Sequence, residues 1–548
     1  MGWGSCLAAL ACVGLLRFAE AAISAAVDPS SQSFVLPDGR TAVFHGLNAV
    51  YKLPPYIPCW DCGFDPQLSL NQGDIKTLRS WGVTAIRLGV MVEAVLPQAL
   101  LGEVNDTYVA AVVQLAERLG EAGIYTLVDA HQDVLSRSFC GEGFPEFAVS
   151  TGNLSQWEKF PSPLPVRIDT DPTTGLPNLT QCQEVEFALF NGAFEVGAAW
   201  GGLYNNMTVR SYFAKHWSAV SQAFGKAASS RESPLKLLGY ELLNEPVPYP
   251  ITSALEQGYG DRVNLQPLYD QLYAAVRRQD NSTVVLYEPS VTNMLLGQVS
   301  GFKSGPGGRT DDDRQGMALH LYCNALNASG DVVNVTDCES SLDGLFDLAS
   351  SSFATAGGGR MITEFGAVGG SAGDAATLSS VLDRADESGV SWAYWTFKGF
   401  NDITTVNSVT ESLFGTDGKP QPLKAAALAR SYPHLVPAAP GAPCRFRFSH
   451  SSPLRELVVE YTVGRAGPGA GAASLTAVLF GSPTYHYVGG ANVTVLPPGA
   501  GVVHMEQAAD GSGWTGWVTV EHPQASVGVP VRLTLQALTP QNATQAAP

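Results

Sequence analysis

Eight short apolar segments, each followed by sequence of helical period, constrain this chain more than any other feature. They fall at 41–50, 84–90, 125–133, 237–246, 283–289, 316–323, 359–366 and 391–398. Amphipathic stretches at 71–81, 106–122, 209–224, 264–280, 341–354 and 375–388 lie between them. Strands of a parallel sheet are covered on both faces, so they read as apolar runs, and each needs a helical crossover to reach its neighbour. Eight such units predict a (β/α)8 barrel, an α/β fold. No phosphate-cradling G-x-G-x-x-G suggests a nucleotide-binding sheet instead.

In such a barrel the C-terminal ends of the strands converge on one mouth. Those ends carry Arg87, His131-Gln132-Asp133, Asn244-Glu245, His320 with Tyr322, Glu364 and Trp395. Each alone has an ordinary structural reading: a salt-bridged core arginine, a satisfied imidazole, a packed indole. Six strand ends polar together point to a site. The sharpest signal is Leu243-Asn244-Glu245-Pro246, which closes the apolar run 237–242. A carboxylic acid beside an amide at a cleft suits glycoside hydrolysis, which needs a proton donor for the leaving oxygen and a partner for the sugar 2-hydroxyl. The second carboxylate that this chemistry requires is Glu364, in Ile362-Thr363-Glu364-Phe365-Gly366. Neither His131 nor His320 lies in a ligand-spaced pair, so no metal and no cofactor are expected.

With 548 residues there is room for a barrel and a further domain. A net charge of −18 and a pI near 4.9 exclude a basic nucleic-acid footprint. Residues 1–22 read as a signal peptide: an apolar run over 6–16, then Ala19-Glu20-Ala21 as an A-x-A-like cleavage site. That run is too short to span a bilayer, and no later segment is long and apolar enough. Asn105, Asn153, Asn178, Asn206, Asn281, Asn327, Asn334, Asn492 and Asn542 each begin an N-x-S/T sequon, 9 of the 19 asparagines, which favours a secreted or lumenal glycoprotein. In an oxidising compartment Cys140 with Cys182 and Cys323 with Cys338 are plausible bridges. Cys59 and Cys62 could pair, leaving Cys444 free; a metal or redox role for that C-x-x-C lacks a second ligand pair.

The mature chain divides into a catalytic barrel at 23–433, a Pro/Ala linker at 434–443 and a small β-sandwich at 444–548. The sandwich strands are expected at 445–448, 456–462, 474–480, 502–506, 516–520 and 531–538. A long insertion at about 134–207 breaks the barrel pattern after the third strand. It is apolar for a loop, which hints at a substrate with a greasy part, with Phe144 and Phe194 expected to face the cleft.

Several segments resemble the endoglycoceramidases, a branch of glycoside hydrolase family five. They are Asp129-Ala130-His131-Gln132-Asp133-x-x-Ser136, Gly141-x-Gly143-x-Pro145, Leu243-Asn244-Glu245-Pro246, Thr363-Glu364-Phe365-Gly366, Asn48-x-Val50-Tyr51-Lys52-x-Pro54-Pro55-Tyr56 and Trp395-x-Phe397-Lys398. The resemblance covers about residues 40–430, and a sandwich after the barrel also fits that group. Phe147 stands where the group's Pro-x-Trp has Trp, which bears on the aglycone side. The resemblance implies Glu245 as acid/base and Glu364 as nucleophile of a retaining reaction. It further implies Asn244 at the 2-hydroxyl, Arg87 and Tyr322 holding Glu364 ionised and oriented, and His131 and His320 lining the site. Trp395 would be the floor under the reacting sugar, with Lys52 and Asp133 on sugar hydroxyls. The implied substrate is a glycosphingolipid, met at a membrane or micelle surface and cut between glycan and ceramide. A different family-five β-glycosidase (glucosylceramidase, galactosyl-specific or cellulase-like) and a non-catalytic glycolipid- or carbohydrate-binding barrel are the competing readings.

Overall fold

A computed structural model of the chain describes residues 24–98, 102–149, 160–323, 331–404, 408–442, 444–465 and 475–538. The expected signal peptide and the sequons at Asn153, Asn327 and Asn542 lie outside the described residues. Three N-terminal strands come first: β1 (Ala26–Asp28), β2 (Ser33–Val35) and β3 (Thr41–Ala42). The barrel strands follow: β4 (His45–Ala49), β5 (Ala85–Gly89), β6 (Tyr125–Asp129), β7 (Leu237–Glu241), β8 (Val284–Tyr287), β9 (Gln315–Leu321), β10 (Gly359–Phe365) and β11 (Ser391–Tyr394). They close as an all-parallel barrel, β11 pairing back onto β4. Seven of the eight are buried at every residue, as strands covered on both faces must be. The strands approach closely at Gly316, where an added Cβ would fall 2.6 Å from Leu286 and 2.9 Å from the Gly359 carbonyl oxygen. At the N-terminal end of the barrel, Ala85, Tyr125, Leu127 and Val284 share a buried cluster with Val27, Phe34 and Phe44 of the leading segment. The N-terminal strands therefore plug the closed end and leave the other as the mouth.

The expected linker is a correction. Residues 432–436 form β12 (Tyr432–Val436), buried throughout. It pairs with β3 on one side and with β15 (Thr476–Phe480) on the other. The Tyr432 hydroxyl donates to the Gly82 carbonyl at 2.7 Å, tying the strand to the barrel. Proline and alanine composition resembles a solvated spacer, yet the register shift between Pro433 and Leu435 accommodates the missing N–H inside a sheet. The remaining strands are β13 (Arg445–Ser449), β14 (Glu456–Thr462), β16 (Ala491–Leu496), β17 (Val502–Gln507), β18 (Trp514–Glu521) and β19 (Pro530–Ala537). One sheet runs β1-β2-β3-β12-β15-β18-β17 and the other β13-β14-β19-β16, around a core of Phe446, Phe448, Leu479, Trp517 and Leu533. The sandwich thus borrows four strands from the part of the chain read as barrel and linker. β16 is not among the expected strands; its half-buried Ala491, Val493 and Val495 alternate with exposed neighbours, and none is fully buried.

The insertion also differs from expectation. Phe144 is buried and packs edge-on against Phe213, so it belongs to the core rather than to a cleft wall. Phe190 and Trp200 are buried as well, whereas Leu189 and Phe194 are exposed. Cys140–Cys182, Cys323–Cys338 and Cys59–Cys62 are disulfide-bonded, and Cys444 is free. Four of the sequon asparagines, Asn105, Asn178, Asn206 and Asn334, are N-caps whose side chains accept helix N–H bonds. Among the described residues no helix is long and apolar enough to cross a membrane.

Candidate active site

The site residues read from the sequence lie at or just beyond C-terminal strand ends, except Arg87 in the middle of β5, a buried arginine that bonds both Asn244 and Glu364. Strand register sets Arg87 beside Asn48. Its guanidinium donates to Glu241 Oε2 at 2.7 Å, Asn48 Oδ1 at 3.0 Å, Glu364 Oε1 at 2.5 Å and Asn244 Oδ1 at 2.7 Å, and it lies 3.1 Å from Asp129 Oδ1. Burial opposes its charge, but Asp129, Glu241 and Glu364 outweigh that and push its pKa well above the ordinary value. Tyr322 donates to Glu364 Oε2 at 2.7 Å. Between Ile362 and Glu364 the β9–β10 register shifts, setting Glu364 opposite His320. Glu364 is thereby held by a charge-assisted bond on one oxygen and a phenol on the other.

Glu245 is the second carboxyl. Its backbone sits at φ 39°, a left-handed conformation uncommon for a side-chain-bearing residue and typical of strained functional positions. Gln132 fixes it by donating to the Asn244 and Glu245 carbonyls at 2.8 and 3.3 Å, while Glu288 accepts the Glu245 N–H at 2.7 Å. Its Oε1 is 2.8 Å from His320 Nδ1, which is also 3.4 Å from Glu364 Oε2. Burial lowers the His320 pKa to about 4, so the ring between the two carboxyls is neutral. Glu245 is raised to about 7, by burial first and by the charge of Asp133 next. Glu288 is raised well above the usual range by burial and by Glu245. Ligand oxygens of Glu245 and Glu364 lie within 4.8 Å of one another. The Glu245 side chain is 20% exposed and Glu364 only 6%, so the group kept protonated is also the one that water reaches. Such a pair can deliver a proton from one side and negative charge from the other.

The residues expected to face the sugar also gather. His131 Nδ1 bonds Asp129 Oδ2 at 2.8 Å; burial works against its charge, but Asp129 and Asp133 raise its pKa to about 9. Its ring stacks on Trp395 at 5.4 Å and 11°. Lys52 lies over the same indole at 5.0 Å, with Asp133 Oδ2 at 2.5 Å, Thr404 Oγ1 at 2.7 Å, Asp402 Oδ2 at 3.0 Å and Glu142 Oε1 at 3.4 Å. Lys52 is therefore engaged chiefly in anchoring Asp133. Asn48, Asp129 and Gln132 fall in motifs quoted from the sequence but have no role assigned there, and Glu142, Glu241, Glu288, Asp402 and Thr404 are not singled out by the sequence at all. Glu288 has a signal, a carboxylate ending the apolar strand β8; Asp402 and Thr404, beyond the last strand, have none.

Among the described residues three clusters have ligand atoms close enough for a metal, but their chemistry opposes one. Glu364 in the first is already bonded by Arg87 and Tyr322, and in His131-Asp133-Glu142 the ammonium of Lys52 sits against Asp133. In a third, Glu241-Glu288-His320, Arg87 holds Glu241.

The family model Cellulase (glycosyl hydrolase family 5) matches residues 63–401. An endoglycoceramidase of Cyanea nozakii is 28% identical over 496 residues, covering 90% of this chain and 91% of its own length. One of Hydra vulgaris is 28% identical over 476 residues, covering 86% and 83%. The solved structure of endo-glycoceramidase II from Rhodococcus sp. superposes with a TM-score of 0.67 at 18% identity, over 92% of this chain and 98% of that one, and so shares the fold.

Proposed function

Because the chain belongs to glycosyl hydrolase family 5, we propose that this glycoside hydrolase is a retaining endo-β-glycosidase that cuts between glycan and ceramide in glycosphingolipids. The observation that carries the reaction type is the carboxyl pair with oxygens within 4.8 Å of each other. Retaining enzymes hold their carboxyl groups about 5–5.5 Å apart, whereas inverting ones leave about 6.5–9.5 Å for a water. In the first step Glu364 attacks the anomeric carbon while Glu245 gives its proton to the departing ceramide oxygen. A glycosyl ester and free ceramide result. Water then enters, Glu245 takes its proton, and the hydroxide displaces Glu364 from the anomeric carbon, restoring both groups. Asn244 accepts from Arg87 and donates to the Gln132 carbonyl at 3.0 Å, which leaves one amide N–H for the 2-hydroxyl. His131 and Trp395 form the wall and floor of this subsite.

Two inversions at one carbon give net retention. Following the anomeric proton by NMR during hydrolysis is expected to give the β-hemiacetal first, with α appearing only by mutarotation. An α product at the first turnover would remove the double displacement.

The lipid half of the proposal draws on the endoglycoceramidase relatives and on the rim of the mouth. Exposed apolar side chains follow three successive strands: Leu189 and Phe194 after β6, Ile251 and Leu255 after β7, Leu295 and Leu296 after β8. The loops are tied together, with Tyr249 against Gly201 and Gln298 donating to the Ala254 carbonyl at 3.0 Å. This rim lies on the acid/base side, toward which the aglycone departs, and suits ceramide chains at a micelle or membrane surface. Leu255 and Leu295 are 80% and 61% exposed, so changing them spares the core. Leu255→Asp with Leu295→Asp should lower kcat/KM on vesicle-borne glycolipid about tenfold, the scale of one lost Leu burial. A soluble aryl glycoside should be turned over as before, and equal losses on both substrates would remove the rim from lipid recognition. Destination is part of the proposal too: three disulfides support an oxidising compartment, reached through the expected leader at 1–22.

A further inference from the structure

A groove of 720 Å³ lies over the loops that follow the first three barrel strands, away from the apolar rim. Pro54, Pro55 and Tyr56 line it from the loop after β4, Glu93 from beyond β5, and Arg137 and Phe147 from beyond β6. We propose that this groove is a distal subsite for a neutral sugar of the substrate glycan, beyond the reacting subsite. The inference rests on the glycolipid hydrolase reading above.

Continuity with the mouth is the first argument. Lys52 precedes Pro54 by two residues, and Glu142, 3.4 Å from the Lys52 ammonium, precedes Pro145 of the groove by three. A bridge between Asp133 and Glu142 and a bond from the Glu93 N–H to the Gly143 carbonyl at 2.9 Å join these loops into one wall. A glycan leaving the reacting subsite past Lys52 and Asp133 meets this wall next. Phe147, expected on the aglycone side, lies instead among these glycan-side loops.

The lining supplies the second argument. Tyr56 holds φ 62°, a left-handed conformation that bulky residues adopt only where their surroundings impose it, and one that recurs at ligand clamps. Its ring and that of Phe147, each half-buried beside two exposed prolines, offer flat apolar faces to a pyranose. Glu93 is 4% exposed, and its carboxyl is shared by the Tyr56 hydroxyl and Arg137, both of the groove lining. Tyr56 is thereby fixed in the wall, and the carboxylate, with several acceptor sites, can take a sugar hydroxyl as a further donor. Arg137 stands 3.3 Å from the other oxygen and balances the Glu93 charge, which favours a neutral sugar over a sialylated one.

The test uses the full chain and its Tyr56→Ala and Glu93→Gln variants. Two glycolipids are compared: lactosylceramide, and a ceramide carrying a neutral tetrasaccharide that extends lactose. Tyr56→Ala should raise KM on the longer glycolipid about tenfold and Glu93→Gln about threefold, with lactosylceramide within twofold of wild type for both. Calorimetric titration of the free tetrasaccharide and of lactose should reproduce the same split without any lipid. If wild type cleaves neither glycolipid, the functional reading fails, and these sugar titrations still decide the groove. Effects that are absent, equal on both glycans, or graded with ceramide chain length would overturn the subsite. It would also be overturned if Thr107→Ala, which removes the sequon of the groove residue Asn105, were needed before the tetrasaccharide bound, since the groove would then hold the protein's own glycan.

Discussion

Glu364→Gln is expected to lower kcat at least about 10⁴-fold on any β-glycoside the enzyme accepts, the scale of removing a nucleophile that acts as part of a unit. The amide is isosteric, and its oxygen can still accept from Arg87 at the position where Glu364 Oε1 now lies 2.5 Å away. Tyr322 can turn its hydroxyl to accept an amide hydrogen. The fold should therefore persist, and only the ability to form the glycosyl ester is lost. Intact-mass measurement after incubation with a slowly released fluoroglycoside distinguishes the cases: wild type should gain one glycosyl unit, located on the Glu364 peptide, and the variant none. Neither neighbouring carboxyl is placed to substitute, because Glu241 is bonded to Arg87 and Thr363, and Glu288 faces the Glu245 backbone. A variant that kept near-wild-type kcat would remove Glu364 from the reaction.

The barrel was legible because its strands repeat one pattern eight times, and burial on both faces forces that pattern on the sequence. The catalytic pair was legible for a related reason: Asn244, Glu245 and Glu364 interrupt apolar runs at the points where strands must end. What the sequence hid is contact between distant segments. The bond from Gln132 to the Glu245 carbonyl and that from the Glu245 N–H to Glu288 join three separate strand ends. Asp402 and Thr404 reach Lys52 from beyond the last strand, without any local periodicity to mark them.

Two departures have the same cause. Phe144 reads as lining because an insertion full of aromatics looks unsuited to a surface, but that ring is buried in the core. Likewise Tyr432–Val436 reads as the approach to a spacer, and tertiary pairing with β3 and β15 makes it the central strand of a sheet. Composition reports how much apolar surface a segment carries; only the fold decides what covers it.

Glu245→Gln should behave differently from the nucleophile variant, and that difference carries the assignment. An acid/base contributes about 10²–10⁴-fold when the leaving group needs a proton. Hydrolysis of natural glycolipid should fall by that factor, whereas formation of the ester from a dinitrophenyl glycoside, whose phenolate departs unaided, should stay near wild type. The second step then lacks its base. Added azide, which needs no deprotonation, should restore turnover and give the β-glycosyl azide. The pH profile supplies the matching sign. Burial first, and Asp133 next, hold the Glu245 pKa at about 7, above its ordinary value. The proton that the acid must give is thus bound below about pH 7, and wild-type kcat/KM should decline as pH rises through that value. On the dinitrophenyl glycoside, in the Glu245→Gln variant, that alkaline limb should vanish, because the acid that served the departing oxygen is gone and Glu241, the other carboxyl raised to about 7, is held by Arg87 and Thr363. Failure of azide to accelerate the variant, or a limb that persists near pH 7 after the substitution, would transfer the acid/base role to another residue, with the protonated neighbour Glu288 the next to test.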